Sequence, residues 1–481
     1  MNVYAAITKE EGREGNTYML IEPTLTDVEK AQLEELKKLL VDELDVDLKS
    51  IRSETEAGEY LATKVKMLAK KYGYRISEVS LAKLQYYISR DFIHLGKIDP
   101  LMHDKLIEDI SCDGVRIPIY VWYRDYESIP SNIIFETAEE LDSFVSKLAY
   151  VAGKHISLAE PIVEASLEDG SRLHLTYGKE VTQRGSTFTI RKFRADPLTI
   201  VDLIKLNTVS SDISAYLWYL IEKKLALLVA GGTASGKTTT LNALSMFIQR
   251  GQKIISVEDT PELRLPHENW IQSVTRGAGT SGEITMFDLL KASLRQRPDV
   301  LIVGEVRGEE AFTLLQSIAT GHGGLGTIHA DSVEAVINRL TTEPMNIPRS
   351  LVGSTLDCVA MQLKIRLADR SVRRIVNVVE VVGHDSRTDQ IVLNEAFKWD
   401  PAQDKFAATG RSRLFDKITQ KFGTRQEEIR REIDGRKVFL DWLVKKSVRS
   451  HTEVSEQVKE FYADPYAMIN KAKVELEAQI G

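Results

Sequence analysis

Residues 225–238 read LALLVAGGTASGKT, and the fold class turns on how an apolar run gives way there to glycines, a lysine and a threonine. LALLVA (225–230) has the length and composition of a buried strand, expected to end at Ala230. GGTASGKT (231–238) then fits G-x-x-x-x-G-K-[ST]. Glycines let the backbone bend so that its N–H groups converge on a polyphosphate. A helix is expected to begin near Lys237 and to run through TTTLNALSMFIQR, adding the positive end of its dipole. On this reading Gly231, Gly232, Thr233, Ala234, Ser235, Gly236, Lys237, Thr238 and Thr239 form a phosphate cradle. Lys237 reaches the β/γ oxygens of ATP, and the Thr238 hydroxyl binds Mg2+.

Further acidic and basic signals follow. DVLIVGEVRGEE (299–310) predicts a buried strand, Val300 to Val303, ending at Gly304-Glu305. A carboxylate at that tip can hold the Mg2+ shell or orient a water beside the γ-phosphate. IISVEDTPEL (254–263) places Glu258, Asp259 and Glu262 at the end of another strand. Hydrolysis needs a carboxylate to orient or deprotonate water, and spacing leaves open which of the three is the base. TGHGGLGTIHADS (320–332) offers His322 and His329 as sensors of the γ-phosphate. No cysteine or carboxylate accompanies them at ligand spacing, which disfavours a metal site. A guanidinium suits phosphate charge that develops during transfer. The candidates are Arg172, Arg184, Arg191 and Arg194, then Arg295, Arg297 and Arg307 near the second carboxylate strand.

The runs LALLVA, KIISVE, DVLIVGE and GLGTIHA alternate with helical stretches, which implies an α/β domain with a mostly parallel sheet. Upstream, TDVEKAQLEELKKLL opens with a capping box, Thr26 and Glu29, and Val28, Leu33, Leu36, Leu39 and Leu40 form one apolar face. Two more helical stretches make residues 1–95 a helical subdomain. PIYVWYR and SNIIFE read as strands, TAEELDSFVSKLAYVAG as a helix with a Thr137–Glu140 box, and Asp-Gly in SLEDGSRLHLTYG as a hairpin. Residues 96–194 therefore form a compact α+β domain. Pro197 in RADPLTI (194–200) marks a linker, taken as 195–205, before an ATPase domain at 206–400. Residues 401–481 read as an appended helical tail with a third capping box, Thr424–Glu427.

A chain of 481 residues with a net charge of −7 argues against a protein that coats nucleic acid. Cys112 and Cys358 are the two cysteines, too few for a disulfide framework or a four-cysteine zinc site, and a reducing compartment is the simpler reading. The N-terminal stretch lacks the pattern of a signal peptide, and no apolar run nears the ~18–20 residues that span a bilayer. The expectation is a cytoplasmic chain with at most peripheral membrane association.

GGTASGKT, SVEDTPEL, LRQRPDVLIVGEVRGEEA and TGHGGLGTIHADS, in that order, resemble the type II/type IV secretion ATPase family over nearly the whole chain. IDPLMHDKLIEDISCDG (98–114) and SLEDGSRLHL…RGSTFTIRKF look like the PAS-like N-terminal domain of its archaeal branch, which drives assembly of type IV pili and archaella. The resemblance implies a RecA-like core, Mg2+ and ATP as cofactors, and a cytoplasmic homohexamer docked on a polytopic membrane platform protein. It assigns Lys237 and Thr238 to Walker A, Glu305 to Walker B, Glu262 to the catalytic base with Glu258 in support, and His329 and His322 to the histidine box. Arg172, Arg184 and Arg191 match arginines that reach nucleotide within or across subunits. Bacterial assembly members carry a tetracysteine insert that two cysteines cannot build, which favours the archaeal type. Two competing readings are a RecA-like nucleic-acid motor, which the acidic balance and the want of an aromatic-basic stripe disfavour, and a ring that binds ATP without hydrolysis, which Glu262 and Glu305 disfavour.

Overall fold

Ser53, Ser77 and Thr137 each accept a hydrogen bond from the backbone N–H three residues on, and a helix follows each. In the computed structural model the described residues are 3–9, 15–43, 53–74, 76–124, 126–193, 196–276, 282–367 and 370–478. Arg194 lies outside them. The chain divides into two compact units, Met1–Ala195 and Asp196–Gly481.

The first unit opens with an antiparallel pair, β1 (Tyr4–Thr8) and β2 (Thr17–Ile21). Helices α1 (Asp27–Glu43), α2 (Glu54–Lys71) and α3 (Glu78–Phe92) bury Leu33, Leu36, Leu40, Leu61, Val65 and Leu84 in a core of their own. The Thr26–Glu29 box makes both of its bonds, at 2.8 and 3.2 Å. Val28, expected on the apolar face, is exposed. It stands eight residues before Leu36, roughly 80° round the helix from it. After α4 (Asp99–His103) come β3 (Ile107–Cys112), β4 (Tyr120–Tyr123), β5 (Glu127–Pro130), α5 (Ala138–Val151), β6 (Ile162–Ser166), β7 (Arg172–Thr176) and β8 (Thr187–Arg191). They build an antiparallel sheet in the order β5-β4-β3-β8-β7-β6, with α5 on its apolar face. Gly170, at φ +88°, makes the Asp-Gly hairpin between β6 and β7. SNIIFE (131–136) is not the strand expected of it. The ladder ends at Pro130, and Ile133 and Phe135 each accept one backbone bond, from Ile119 and Arg116.

The second unit runs through α6 (Ile200–Lys205), α7 (Ser211–Glu222), β9 (Leu227–Gly231), α8 (Lys237–Ser245), β10 (Ile254–Glu258), β11 (Trp270–Val274), α9 (Met286–Leu294), β12 (Val300–Val306), α10 (Glu310–Ala319), β13 (Gly323–His329), α11 (Val333–Thr341) and α12 (Arg349–Thr355). Then follow β14 (Cys358–Leu367), β15 (Arg370–Asp385), β16 (Gln390–Asp400), β17 (Lys405–Ala408), α13 (Leu414–Phe422), α14 (Gln426–Lys446), α15 (His451–Ala463) and α16 (Pro465–Glu477). One sheet has the order β11-β10-β12-β13-β9-β14-β15-β16-β17. It is parallel from β11 to β14 and antiparallel from there on. Strand β13, inserted between the P-loop strand β9 and the acidic strand β12, gives the α/β core its RecA-like form.

Three local expectations are corrected by tertiary contacts. Helix α8 stops at Ser245 instead of running to Arg250, because Tyr462 donates to the Phe247 carbonyl and His267 to that of Ile248. Capping of α14 falls one residue later than Thr424–Glu427, on Arg425 and Glu428. The C-terminal helices are not an appendage. Ile418, Phe439, Leu440, Leu443, Phe461 and Met468 share one core with α7, α8 and the underside of the sheet. An amphipathic, highly charged segment reads the same whether its apolar stripe meets its own domain or another.

That packing also buries His267, whose ring is pushed below its ordinary 6.5 by burial and by Arg250 and His451, against the Ile248 carbonyl. His451 is depressed as well, by burial, against the Arg264 carbonyl and Asp196. A depressed histidine protonates in the unfolded chain first, so its contribution to stability is full above pH 6.5 and is lost as pH falls below it. Urea midpoints should therefore drop between pH 7 and pH 5, and His267→Gln should flatten that drop. An unchanged slope in the variant would remove His267 from the account.

Candidate functional site

The P-loop is held in a conformation that needs its sequence. Ala234 and Gly236 have φ of +57° and +89°, so successive N–H groups turn inward ahead of α8. A Cβ on Gly231 would collide with the Gln362 carbonyl on β14. Ser235 Oγ and Lys237 Nζ both donate to the Gly232 carbonyl, at 2.9 and 2.8 Å. Lys237 is thus 7% exposed, folded along the loop.

Across the sheet, β12 runs through Gly304-Glu305, its expected end, to Val306, with a register shift against β13 after Val303. Glu305 meets Arg307 at 2.5 Å and His329 at 3.5 Å. Burial opposes ionisation of Glu305, but Arg307, with help from His329 and Lys237, holds its carboxyl below the usual range. Burial and the Lys237 ammonium push His329 down, against the pull of Glu305, so its imidazole is neutral near pH 7. His329 is in register with Gly231. Lys237, Glu305 and His329 thus form one electrostatic group at the C-terminal edge of the sheet. Hydroxyl and carboxylate oxygens are the donors Mg2+ prefers, and Thr238 in the first turn of α8 and Glu305 near the end of β12 are donors of that kind.

Glu258, 2% exposed, has a different role from the other carboxylates. One oxygen accepts from the backbone N–H of Glu262 and of Leu263, both at 2.9 Å, and the other from Gln272 at 2.8 Å. Burial raises its pKa despite these bonds. The side chain is a bracket for loop 259–263, which presents Asp259 and Glu262; Asp259 reaches Arg307 at 3.2 Å. Glu258→Gln cannot satisfy all three donors, and leaving one unmet costs about 1–3 kcal/mol and lets the loop shift. ATP turnover should fall about a hundredfold with ADP affinity unchanged. Phosphate release and calorimetry on the same sample check this, and a variant with near wild-type turnover would contradict it.

The two histidines are not brought together. His322 precedes β13 at the N-terminal edge, where its Nδ1 lies 2.9 Å from the Ser317 carbonyl and 3.1 Å from Thr320 Oγ1. Seven residues of strand separate it from His329, about 23 Å. It is therefore no part of the P-loop site of its own chain, contrary to expectation. The reason is that a strand carries its two ends to opposite edges of the sheet. Arg295 and Arg297 also lie before β12, at the far edge from Glu305, and Arg307 alone of that group reaches it.

In the first unit Arg172 and Arg191 stand directly opposite one another on β7 and β8, with Asp109 of β3 on the other side of Arg191. Arg184 sits in the β7–β8 loop, at the opposite end of the hairpin, about 14 Å along the strands.

Gln362 escaped the sequence reading. Its Nε2 donates to the Ser235 carbonyl at 2.7 Å, and its Oε1 accepts from Thr240 at 2.6 Å. The one signal was a lone amide within the apolar run CVAMQL.

A model of the family described as Type II/IV secretion system protein matches residues 95–460. An uncharacterised protein of Methanocaldococcus jannaschii is 36% identical over 385 residues, 79% of this chain and 70% of that one. The type IV secretion system protein PtlH of Bordetella pertussis is 31% identical over 327 residues, 60% of this chain and 94% of that one. Among solved structures, the ATPase DotB of Legionella pneumophila is 18% identical with a TM-score of 0.44, covering 56% of this chain and 76% of that one. With its P-loop, its acidic strand and a family match across both units, the chain belongs to the type II/IV secretion system family of ATPases.

Proposed function

We propose that this ATPase is the ring motor of a type IV pilus, an archaellum or a type II/IV secretion machine, acting as a homohexamer at the inner face of the cell membrane. The observation that carries the reading is that Lys237, at the start of α8, acts on the ionisation of Glu305 and His329 at two strand tips, beside a bracketed acidic loop. In this reading the backbone of residues 231–236 and Lys237 bind the β- and γ-phosphates. Thr238 and Glu305 hold Mg2+, which neutralises phosphate charge when bound. Glu262, held by Glu258, takes the proton of the attacking water, and neutral His329 is placed to sense the γ-phosphate. Arg172 and Arg191 supply cations from the first unit, within one subunit or across two, so that turnover couples to movement of the units. A polytopic membrane platform protein converts that movement into filament growth or export. The archaeal relative supports the archaeal branch. Among the described residues no helix is long and apolar enough to cross a membrane, which fits attachment through a partner. The family match gives no support to a nucleic-acid motor.

Light scattering with and without Mg-ATP, paired with phosphate release, tests the reading. Hexamers that hydrolyse ATP without DNA are expected. A monomer that hydrolyses only with nucleic acid added would overturn it.

A further inference from the structure

The P-loop has two neighbours. On one side β13 and β12 bring His329 and Glu305, the groups suited to the γ-phosphate. On the other side β14 continues past the P-loop into a hairpin with β15, and this hairpin carries Lys364, Arg366, Arg370, Arg373 and Arg374. Gln362 pairs across it with Ile375, and Lys364 with Arg373. Ile375 belongs to the same core as Leu241 and Leu244 of α8, so Gln362, Lys364 and Arg373 share the face of the sheet on which α8 lies. A Cβ on Gly236 would lie 2.9 Å from Gln362 Nε2 and 3.9 Å from Arg373 Cγ. The arginine stem therefore runs alongside the last glycine of the P-loop.

Arg373 is also electrostatically unmatched. Its neighbour Arg374 is clamped by Asp404 at 2.7 and 2.8 Å. Arg373 is partly buried, faces a lysine across the ladder, and has no ion pair among the described residues. A half-buried guanidinium beside a phosphate loop is placed to meet an anion.

A polyphosphate crossing these strand tips with its γ end toward Glu305 has its α end toward β14. We propose that Arg373 binds the α-phosphate end of the nucleotide, with Gln362 acting as a positioning residue that sets the P-loop's shape. The proposal rests on the P-loop reading above. Because ADP and ATP share that end, the contact serves both ligands alike and governs affinity more than turnover.

The full-length chain tests this with Mg-ADP by calorimetry and Mg-ATP by phosphate release. Arg373→Ala should weaken Mg-ADP about tenfold and raise KM for Mg-ATP by a similar factor, with kcat within about threefold. Arg373→Lys should recover part of the loss, since charge is kept and the planar fork is not. If the alanine variant does not fold by circular dichroism, Arg373→Gln is read in the same way. Unchanged Mg-ADP affinity, or a loss confined to Mg-ATP, would overturn the proposal. Lys237→Ala separates the two failures. If it abolishes nucleotide binding while Arg373→Ala changes nothing, only the Arg373 assignment falls; if neither variant alters binding, the P-loop reading falls with it.

Discussion

Lys237→Ala should reduce ATP turnover by at least about a hundredfold while leaving the fold and the oligomeric state in place. The ammonium is the single lysine of the cradle, and it acts on both sides of the site. It donates to the Gly232 carbonyl at 2.8 Å and so helps shape the loop. Its field also contributes to keeping Glu305 ionised and His329 neutral. Removing it takes away the cation for the β/γ oxygens and loosens the electrostatic control of both neighbours. Nothing comparable is lost from the core, since alanine is a good helix former at the start of α8. Phosphate release at saturating Mg-ATP, with light scattering on the same preparation, reads both halves. Turnover like that of the wild type would end the assignment of this loop as the catalytic one.

The second large effect is on stability. Trp218 of α7 is fully buried and stacks on Phe247 at 4.4 Å, nearly parallel. Phe461 and Phe439 close round it at 4.7 and 5.9 Å, and its indole N–H donates to Tyr462 at 2.6 Å. The Arg436 guanidinium lies 5.6 Å from its ring. One side chain thus joins α7, the turn after α8, α14 and α15. Trp218→Ala removes that volume where four elements meet and cannot collapse together, and should cost about 3–5 kcal/mol. Urea denaturation measures it, and limited proteolysis should show the C-terminal helices exposed first. A loss below about 1 kcal/mol would mean that these helices stabilise the ATPase core little, against the shared core seen here.

The largest departure from the sequence reading concerns the same helices. Their charge and helicity were legible, although the segment read as helical from residue 401 opens with β17 (Lys405–Ala408), which pairs with β16, and turns helical only at Leu414. What their apolar face covers was not, because a stripe has the same period whether it meets the parent domain or stands apart. The site shows the same division. The P-loop, Glu305 and His329 were legible because each is a local event, an apolar run ending in a chemically useful residue. Glu258 was legible as acidic, but its use as a bracket depends on Gln272 in β11, fourteen residues on. Gln362 was invisible because it stands 127 residues from the carbonyl it holds.

The sequence alone determined most of the strands and helices, the glycine-rich turn ahead of α8, and which residue types close the strands, since these follow from hydrophobic period, glycine conformations and charge within a few residues. Only the tertiary structure decided which strand ends share an edge. It set His329 beside Gly231 and His322 at the opposite edge, put Gln362 and Arg373 on the open flank of the P-loop, and folded the last helices into the core. Strand order is chosen by the burial that distant segments achieve together, and no single segment carries that information.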